Sequence, residues 1–340
     1  MILTENIKYN IRIDELIREL DLGMVTITPK PVYGGLLHKS FDVVTSQGHY
    51  FIKALNPQIM LRPNAMSNHL FADVISRVAV GKGISASAVM EIQGNTIHNF
   101  DGQFYQVFDW LDGVDYTHMP ENIEECYKIG VILGELHQID FLTIDATDRS
   151  ESKRSKIDWK GILEQAENSD LLKRLEGIDI DYIDSAESDS LDALESLERQ
   201  VISHRDLDPK NVMWREDGEP IIIDWEAAGY VNPTFELVEV AIYWSECIDG
   251  TVNLDAFLEV IKGYHSVYSI DFKELQYVWR SLKINMIGWI EYNLKRSIGI
   301  EVNSSEECDL GYQQVVNTIK SMRTLDTQIE LLKESVLTLK

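Results

Sequence analysis

Two observations predict an α+β fold with a small strand-rich N-terminal lobe, residues 1–109, and a larger, mostly helical lobe, residues 110–340. Short alternating or β-branched runs joined by glycine turns fill residues 25–108, interrupted by one helical stretch. After Trp110 the apolar spacing is helical almost to the C-terminus, and strand character returns only between residues 200 and 224. Strands with one helix followed by a long helical remainder is the order of an α+β chain.

The elements follow from local pattern. Ile11–Leu22 carries helical spacing and stops at Gly23. Val25–Thr28, Ser40–Thr45 and Tyr50–Leu55 read as strands, the last two joined as a hairpin around Ser46-Gln47-Gly48. From Asn64 to Val80, Met66, Leu70, Val74 and Val78 keep a four-residue step, which predicts a helix. Val89–Gln93 and Gln103–Phe108 are further strand-like runs, with a turn at Asn99–Gly102. Helices are expected over 123–138, 159–175 and 191–200, and over most of 234–340. Residues 176–198 hold nine acids and no Lys or Arg, a pattern expected of a solvated face or a mobile loop.

Composition narrows the partners. The formal charge is −25, from 56 acids against 31 bases, which repels phosphate backbones and argues against nucleic acid as a ligand. The same field attracts polycations. No run of about 18 apolar residues is present and the N-terminus is charged throughout, so no membrane span or signal peptide is expected and the chain reads as cytoplasmic. Cys126, Cys247 and Cys308 lie far apart and offer neither a disulfide framework nor a zinc spacing, so any metal site has to use oxygen ligands. Nothing in the pattern speaks to oligomeric state.

The chemistry concentrates in VISHRDLDPKNVMWREDGEPIIIDWE, residues 201–226. It reads as strand, loop, strand, turn and strand, with Asp224 closing the last run. Asn211 follows Asp206 by five residues, and Asp224 follows Asn211 by thirteen. Phosphoryl transfer to an alcohol needs one carboxylate to take the hydroxyl proton, and a carboxylate with an amide oxygen to hold Mg²⁺ against the phosphates.

This stretch resembles the catalytic loop and metal-binding strand of the aminoglycoside phosphotransferase and choline kinase superfamily, the small-molecule branch of the protein-kinase-like fold. The resemblance implies a bilobal fold with Asp206 as catalytic base and Asn211 and Asp224 as Mg²⁺ ligands. Protein kinases follow the metal-binding Asp with Phe-Gly; here Trp225-Glu226 follows, which points to the small-molecule branch. Arg205 is the protein-kinase-like form at a position where small-molecule kinases more often carry Gly.

In the first lobe, Tyr33-Gly34-Gly35 and Ser40-Phe41-Asp42-Val43 resemble the family's glycine-bearing turn, with Gly34 and Gly35 letting backbone N–H groups approach phosphates. Lys53 resembles the strand lysine that contacts the α- and β-phosphates. Its family partner is a Glu on the next helix; between Ala54 and Met90 the only acid is Asp73, the expected partner. Val107, Phe108 and Asp109 resemble the hinge strand, whose backbone would meet the purine edge of ATP or GTP. Residues 129–137 resemble the helix under the catalytic loop, with His137 as a core residue.

The family's acceptor site lies between the catalytic loop and the helices after the metal-binding Asp. Here that region offers Glu226, Glu236, Glu239, Tyr243 and Trp244, carboxylates and rings suited to an amino sugar or other cationic alcohol. A small cationic acceptor is therefore expected. A metabolite kinase for choline, a sugar or an amino alcohol is the alternative, as is a kinase-like binding protein without turnover.

Overall fold

The computed structural model describes residues 8–33, 37–116, 119–120, 122–141, 154–165, 177–300, 302 and 305–340. Gly34 and Gly35, and the portion of the expected 159–175 helix beyond residue 165, lie outside the described residues. The chain divides into two compact units, residues 1–115 with 210–229, and residues 116–209 with 230–340. The first unit takes in the segment carrying Asn211, Asp224 and Glu226, while Asp206 belongs to the second.

The first unit is built on an antiparallel sheet of β1 (Lys30–Val32), β2 (Lys39–Val44), β3 (His49–Ala54), β4 (His98–Phe100) and β5 (Gln103–Asp109), in the order β1-β2-β3-β5-β4. The β2–β3 hairpin pairs Val44 with His49 and Ser40 with Lys53. β4 and β5 turn tightly at Asp101-Gly102, both at positive φ, the geometry that twists two strands together without splaying them. Val25 makes only an isolated bridge to Thr45, and the stretch expected as a strand at 89–93 contributes single pairings, including Met90 N–H to the Val107 carbonyl at 2.8 Å.

Strand alternation sorts the sheet into two faces. Tyr50, Ile52, Ala54, Tyr105 and Val107 are buried with helix α1 (Ile13–Glu19), whose Ile13, Leu16 and Ile17 complete the core. Lys53 and its cross-strand neighbour Gln106 therefore stand on the opposite face. The one-turn helix α2 (Pro57–Met60) leads to α3 (Ala65–Gly81). That helix forms where expected, yet it buries Ala65, His69, Ala72, Asp73, Ile75, Ser76 and Ala79, and leaves the Met66–Leu70–Val74–Val78 stripe half-buried or exposed. The buried side carries the small and polar groups that serve the site. A hairpin of β7 (Val212–Trp214) and β8 (Pro220–Ile222) joins this unit through Val114–Trp214 backbone pairing and through Ile222 bonds to Ser85 and Ser87.

The second unit is helical: α4 (Ile123–His137), α5 (Trp159–Glu164), α6 (Ile180–Leu194), α7 (Pro233–Tyr243), α8 (Leu254–Val267), α9 (Leu275–Ser281), α10 (Ile284–Ser297) and α11 (Ser305–Leu337), with the short strand β6 (Val201–Ser203) leading into the catalytic loop. The acid-rich run is not a loop. It forms α6, which buries Ile183, Ala186, Glu187, Ser190 and Ala193 and turns Asp181, Asp189 and Asp192 to solvent. Glu187 accepts hydrogen bonds from the Ile157 amide and the Trp159 indole, both at 2.8 Å, so it is a buried tie rather than part of the solvated face. The helix expected at 191–200 is the end of α6, which stops at Leu194.

α4 and α8 cross at two glycines. A Cβ at Gly130 would strike the Val260 carbonyl, and one at Gly263 the Tyr127 carbonyl, so backbone rather than side chains forms the contact. Overpacking costs roughly 1–3 kcal/mol. Gly130→Ala should lower the unfolding free energy from denaturant melts by that amount, whereas Gly288→Ala, where a Cβ meets nothing within 4 Å, should leave it unchanged or raise it.

Candidate active site

In the first unit, Lys53 is almost fully buried and its Nζ lies 2.6 Å from Asp224 Oδ1 and 3.3 Å from Glu226 Oε2. Burial works against the ammonium, but the two carboxylates hold its pKa above the usual lysine value. Burial likewise opposes the charge on Glu226, and Lys53 with His38 holds its carboxyl well below the usual range. Glu226, expected at the acceptor, is thus a partner of the lysine.

Asp73, expected to pair with Lys53, accepts a hydrogen bond from Gln106 Nε2 at 2.8 Å instead. Gln106 is the cross-strand neighbour of Lys53, so a neutral amide stands where the acid was to meet the ammonium. Burial pushes the Asp73 carboxyl above its usual range, against hydrogen bonds from Thr96 and Gln106.

Asn211 and Asp224 flank the β7–β8 hairpin. The Ile223 N–H donates to the Asn211 carbonyl at 2.9 Å, which carries the two residues to the same end of that ladder. Asp224 adopts the left-handed conformation, φ 59° and ψ 61°, at the start of the 3₁₀ turn Trp225–Ala227. A non-glycine residue held there costs about 1–3 kcal/mol and is tolerated where surroundings impose it. One carboxylate and one amide suit Mg²⁺, which prefers hard oxygen donors and retains water and phosphate ligands. Among the described residues no cluster of three or more His, Cys, Asp or Glu is arranged to hold a metal.

Of the hinge residues, Phe108 stacks edge-on with Phe51, ring centroids 6.1 Å apart. The Val107 carbonyl is already taken by Met90, and Asp109 is paired with Tyr50 at the end of β5.

In the second unit, α7 braces the catalytic loop on both sides of Asp206. Glu236 Oε1 accepts from the Arg205 N–H at 2.7 Å, and the Trp244 indole donates to the Leu207 carbonyl at 2.9 Å. Arg205 sits at φ 67°, a backbone state that the Glu236 bond helps to hold. Glu236 Oε2 meets His137 Nε2 at 2.7 Å, and His137 Nδ1 meets the Tyr264 hydroxyl at 2.8 Å. Burial opposes the charge of Glu236, but hydrogen bonds from His137, Ser203 and the Arg205 amide keep its pKa below the usual range. Glu236 and Trp244 are both fully buried. They hold the loop that carries Asp206.

Glu239 is different. It accepts from Asn285 Nδ2 at 2.7 Å, and Asn285 in turn accepts from Arg154 Nη2 at 2.8 Å. Burial, then the neighbouring charges of Glu236 and Asp206, push Glu239 up to about 7 despite hydrogen bonds from Asn285 and Tyr243. Burial and Glu239, Asp206 and Asp208 also raise the Tyr243 phenol well above its usual value. Glu239 and Tyr243 are the expected acceptor residues that sit near the charge of Asp206. Neither His38 nor Asn285 is visible as a site residue in the sequence, since no spacing connects either to the loop.

No curated protein sequence matches the chain. Among solved structures, spectinomycin phosphotransferase in complex with ADP and spectinomycin matches with a TM-score of 0.65 at 14% identity, over 93% of this chain and 99% of its own. Plasmodium vivax ethanolamine kinase matches at 0.56 with 18% identity, over 86% and 81%. Choline kinase from Cryptosporidium parvum Iowa II matches at 0.55 with 15% identity, over 96% and 99%. At identities this low the structural likeness shows a shared kinase-like fold and no more. The profile of the phosphotransferase enzyme family covers residues 28–268, and with the sheet, the helical unit and the 201–226 segment in place the chain belongs to that family of small-molecule phosphotransferases.

Proposed function

We propose that the protein moves the γ-phosphate of ATP or GTP, with Mg²⁺, onto a hydroxyl of a small cationic acceptor of the aminoglycoside kind. The observation that carries this reading is the buried ion pair of Lys53 with Asp224, in the unit that also presents Asn211 at the end of the same hairpin. Lys53 is assigned to the donor phosphates, and Asp224 and Asn211 to the metal. A bound Mg²⁺ would neutralise charge on the transferring phosphate.

Asp206 takes the acceptor proton. The Glu236 and Trp244 bonds on either side fix its backbone, so its carboxylate is aimed without reorganisation. The chain's −25 charge, and Glu239 among the acids of the catalytic loop, favour a cation over a neutral sugar as acceptor. The neighbours that act on spectinomycin, ethanolamine and choline support an alcohol acceptor in general. A screen of amino sugars, amino alcohols and neutral sugars for nucleotide-dependent ADP or GDP release tests the assignment. A neutral sugar that outcompetes every amine would favour the metabolite-kinase alternative, and no turnover with any alcohol would favour a binding protein.

Replacing Asp206 by Asn keeps the shape and removes the proton acceptor. Turnover should fall by about 10²-fold or more with nucleotide affinity little changed. Asp224→Ala should abolish the Mg²⁺-dependent part of nucleotide binding in calorimetry, because a hard dication loses its carboxylate.

Glu239 makes the acceptor pH-dependent. Its carboxyl is neutral below about 7 and charged above, so affinity for a cationic acceptor should rise as pH passes through that value. The rise should weaken with added salt and vanish in Glu239→Gln. The same shift has an opposite sign for stability. The folded protein holds a proton that the unfolded chain releases near 4.5, so stability should fall as pH climbs from about 4.5 to about 7. Denaturation of Glu239→Gln across that window should lack this contribution.

A further inference from the structure

A chain of contacts in the first unit leads to Lys53 from a residue that the family motifs do not mark. Asn56 caps α2, its Oδ1 accepting from the Gln58 N–H at 2.9 Å. The Asn56 backbone N–H donates to His38 Nδ1 at 2.9 Å. A ring nitrogen that accepts from an amide carries no proton, so the proton of the neutral imidazole is on Nε2. That Nε2 lies 3.1 Å from Glu226 Oε2, the same oxygen that stands 3.3 Å from Lys53 Nζ. The His38 side chain is 5% exposed, so water does not compete for the bond. His69, on the buried side of α3, packs its ring against His38 with centroids 5.6 Å apart. Burial pushes the His69 imidazole down to about 4, so it stands there as a neutral wall.

We propose that His38 is a positioning residue of the donor site, which donates from Nε2–H to Glu226 and so holds that carboxylate against Lys53. The proposal rests on the assignment of Lys53 to the donor phosphates. It gives the lysine a permanent partner. If Asp224 is committed to a metal, Glu226 is the carboxylate left to orient the ammonium, and Asp73 on α3 is occupied by Gln106. Glu226 from the metal-binding segment, steered by a histidine at the start of β2, thus does what a helix glutamate does elsewhere in the fold.

Two substitutions separate orientation from packing. His38→Asn keeps an acceptor for the Asn56 N–H but is too short to reach Glu226. His38→Gln places an amide N–H near the position of Nε2. ATP affinity, measured by calorimetry with and without Mg²⁺, should fall about 10-fold in His38→Asn, the scale set by groups that orient a ligand-binding side chain. His38→Gln should recover most of the loss. In turnover assays KM for ATP should rise in His38→Asn while KM for the acceptor stays put. Placed in a Glu226→Gln background, His38→Asn should cost little more, because both act on one lysine. Thermal melts of each variant verify that it folds, and if His38→Asn does not, a His38→Ala and Glu226→Gln cycle carries the same comparison.

Wild-type ATP affinity in His38→Asn, or losses that simply add in the double variant, would overturn the proposal while Lys53→Ala still loses ATP. If Lys53→Ala and Asp224→Ala both bind ATP like the wild type, the donor assignment itself fails and takes this inference with it.

Discussion

A buried ammonium must be matched by carboxylates, and that requirement organises the first unit. Lys53 is carried on the sheet face away from the hydrophobic core. Its partners come from a segment more than 170 residues further along the chain, Asp224 and Glu226 beyond β8. Uncompensated, such a charge would cost several kcal/mol. The hairpin of β7 and β8 is therefore part of the first unit for an electrostatic reason as well as through its bonds to Ser85, Ser87 and Val114.

In the second unit the corresponding problem is a loop that has to hold a carboxylate still. α7 solves it with one buried acid and one indole at either end of the helix. Glu236 is itself kept charged by His137, which Tyr264 orients from α8. The close α4–α8 crossing at Gly130 and Gly263 brings together the helices that carry His137 and Tyr264. Charge-assisted bonds to the backbone are stronger than neutral ones, which suits a loop with Arg205 in a left-handed conformation.

The acidic character of the chain is not all surface. Glu187, Glu236 and Glu239 are buried and each has a specific partner. Two are tied off by tryptophan, histidine or backbone donors. Glu239, with a single amide and a phenol for support, is left near the point of titration. For Glu239, burial and the neighbouring charges of Glu236 and Asp206 outweigh those two donors.

Much of this was legible from residue order. Alternation along Tyr50-Phe51-Ile52-Lys53 placed the lysine opposite the core, and the hairpin of β2 and β3 follows from Ser46-Gln47-Gly48. The spacing of Asp206, Asn211 and Asp224 and the ensuing family resemblance stood in the 201–226 segment, as did the order of strands before helices. Those are local matters, set by period and by turn chemistry. Which acid meets Lys53, which face of α3 is buried, and whether Glu226, Glu236 and Trp244 face an acceptor were not. In each case the answer depends on groups distant in the chain: Gln106 across the strand intercepts Asp73, His38 steers Glu226, and His137 and the catalytic-loop backbone claim Glu236 and Trp244. A sequence shows that a carboxylate is present and on which element; desolvation and the competition among donors, which only packing brings together, decide what that carboxylate does.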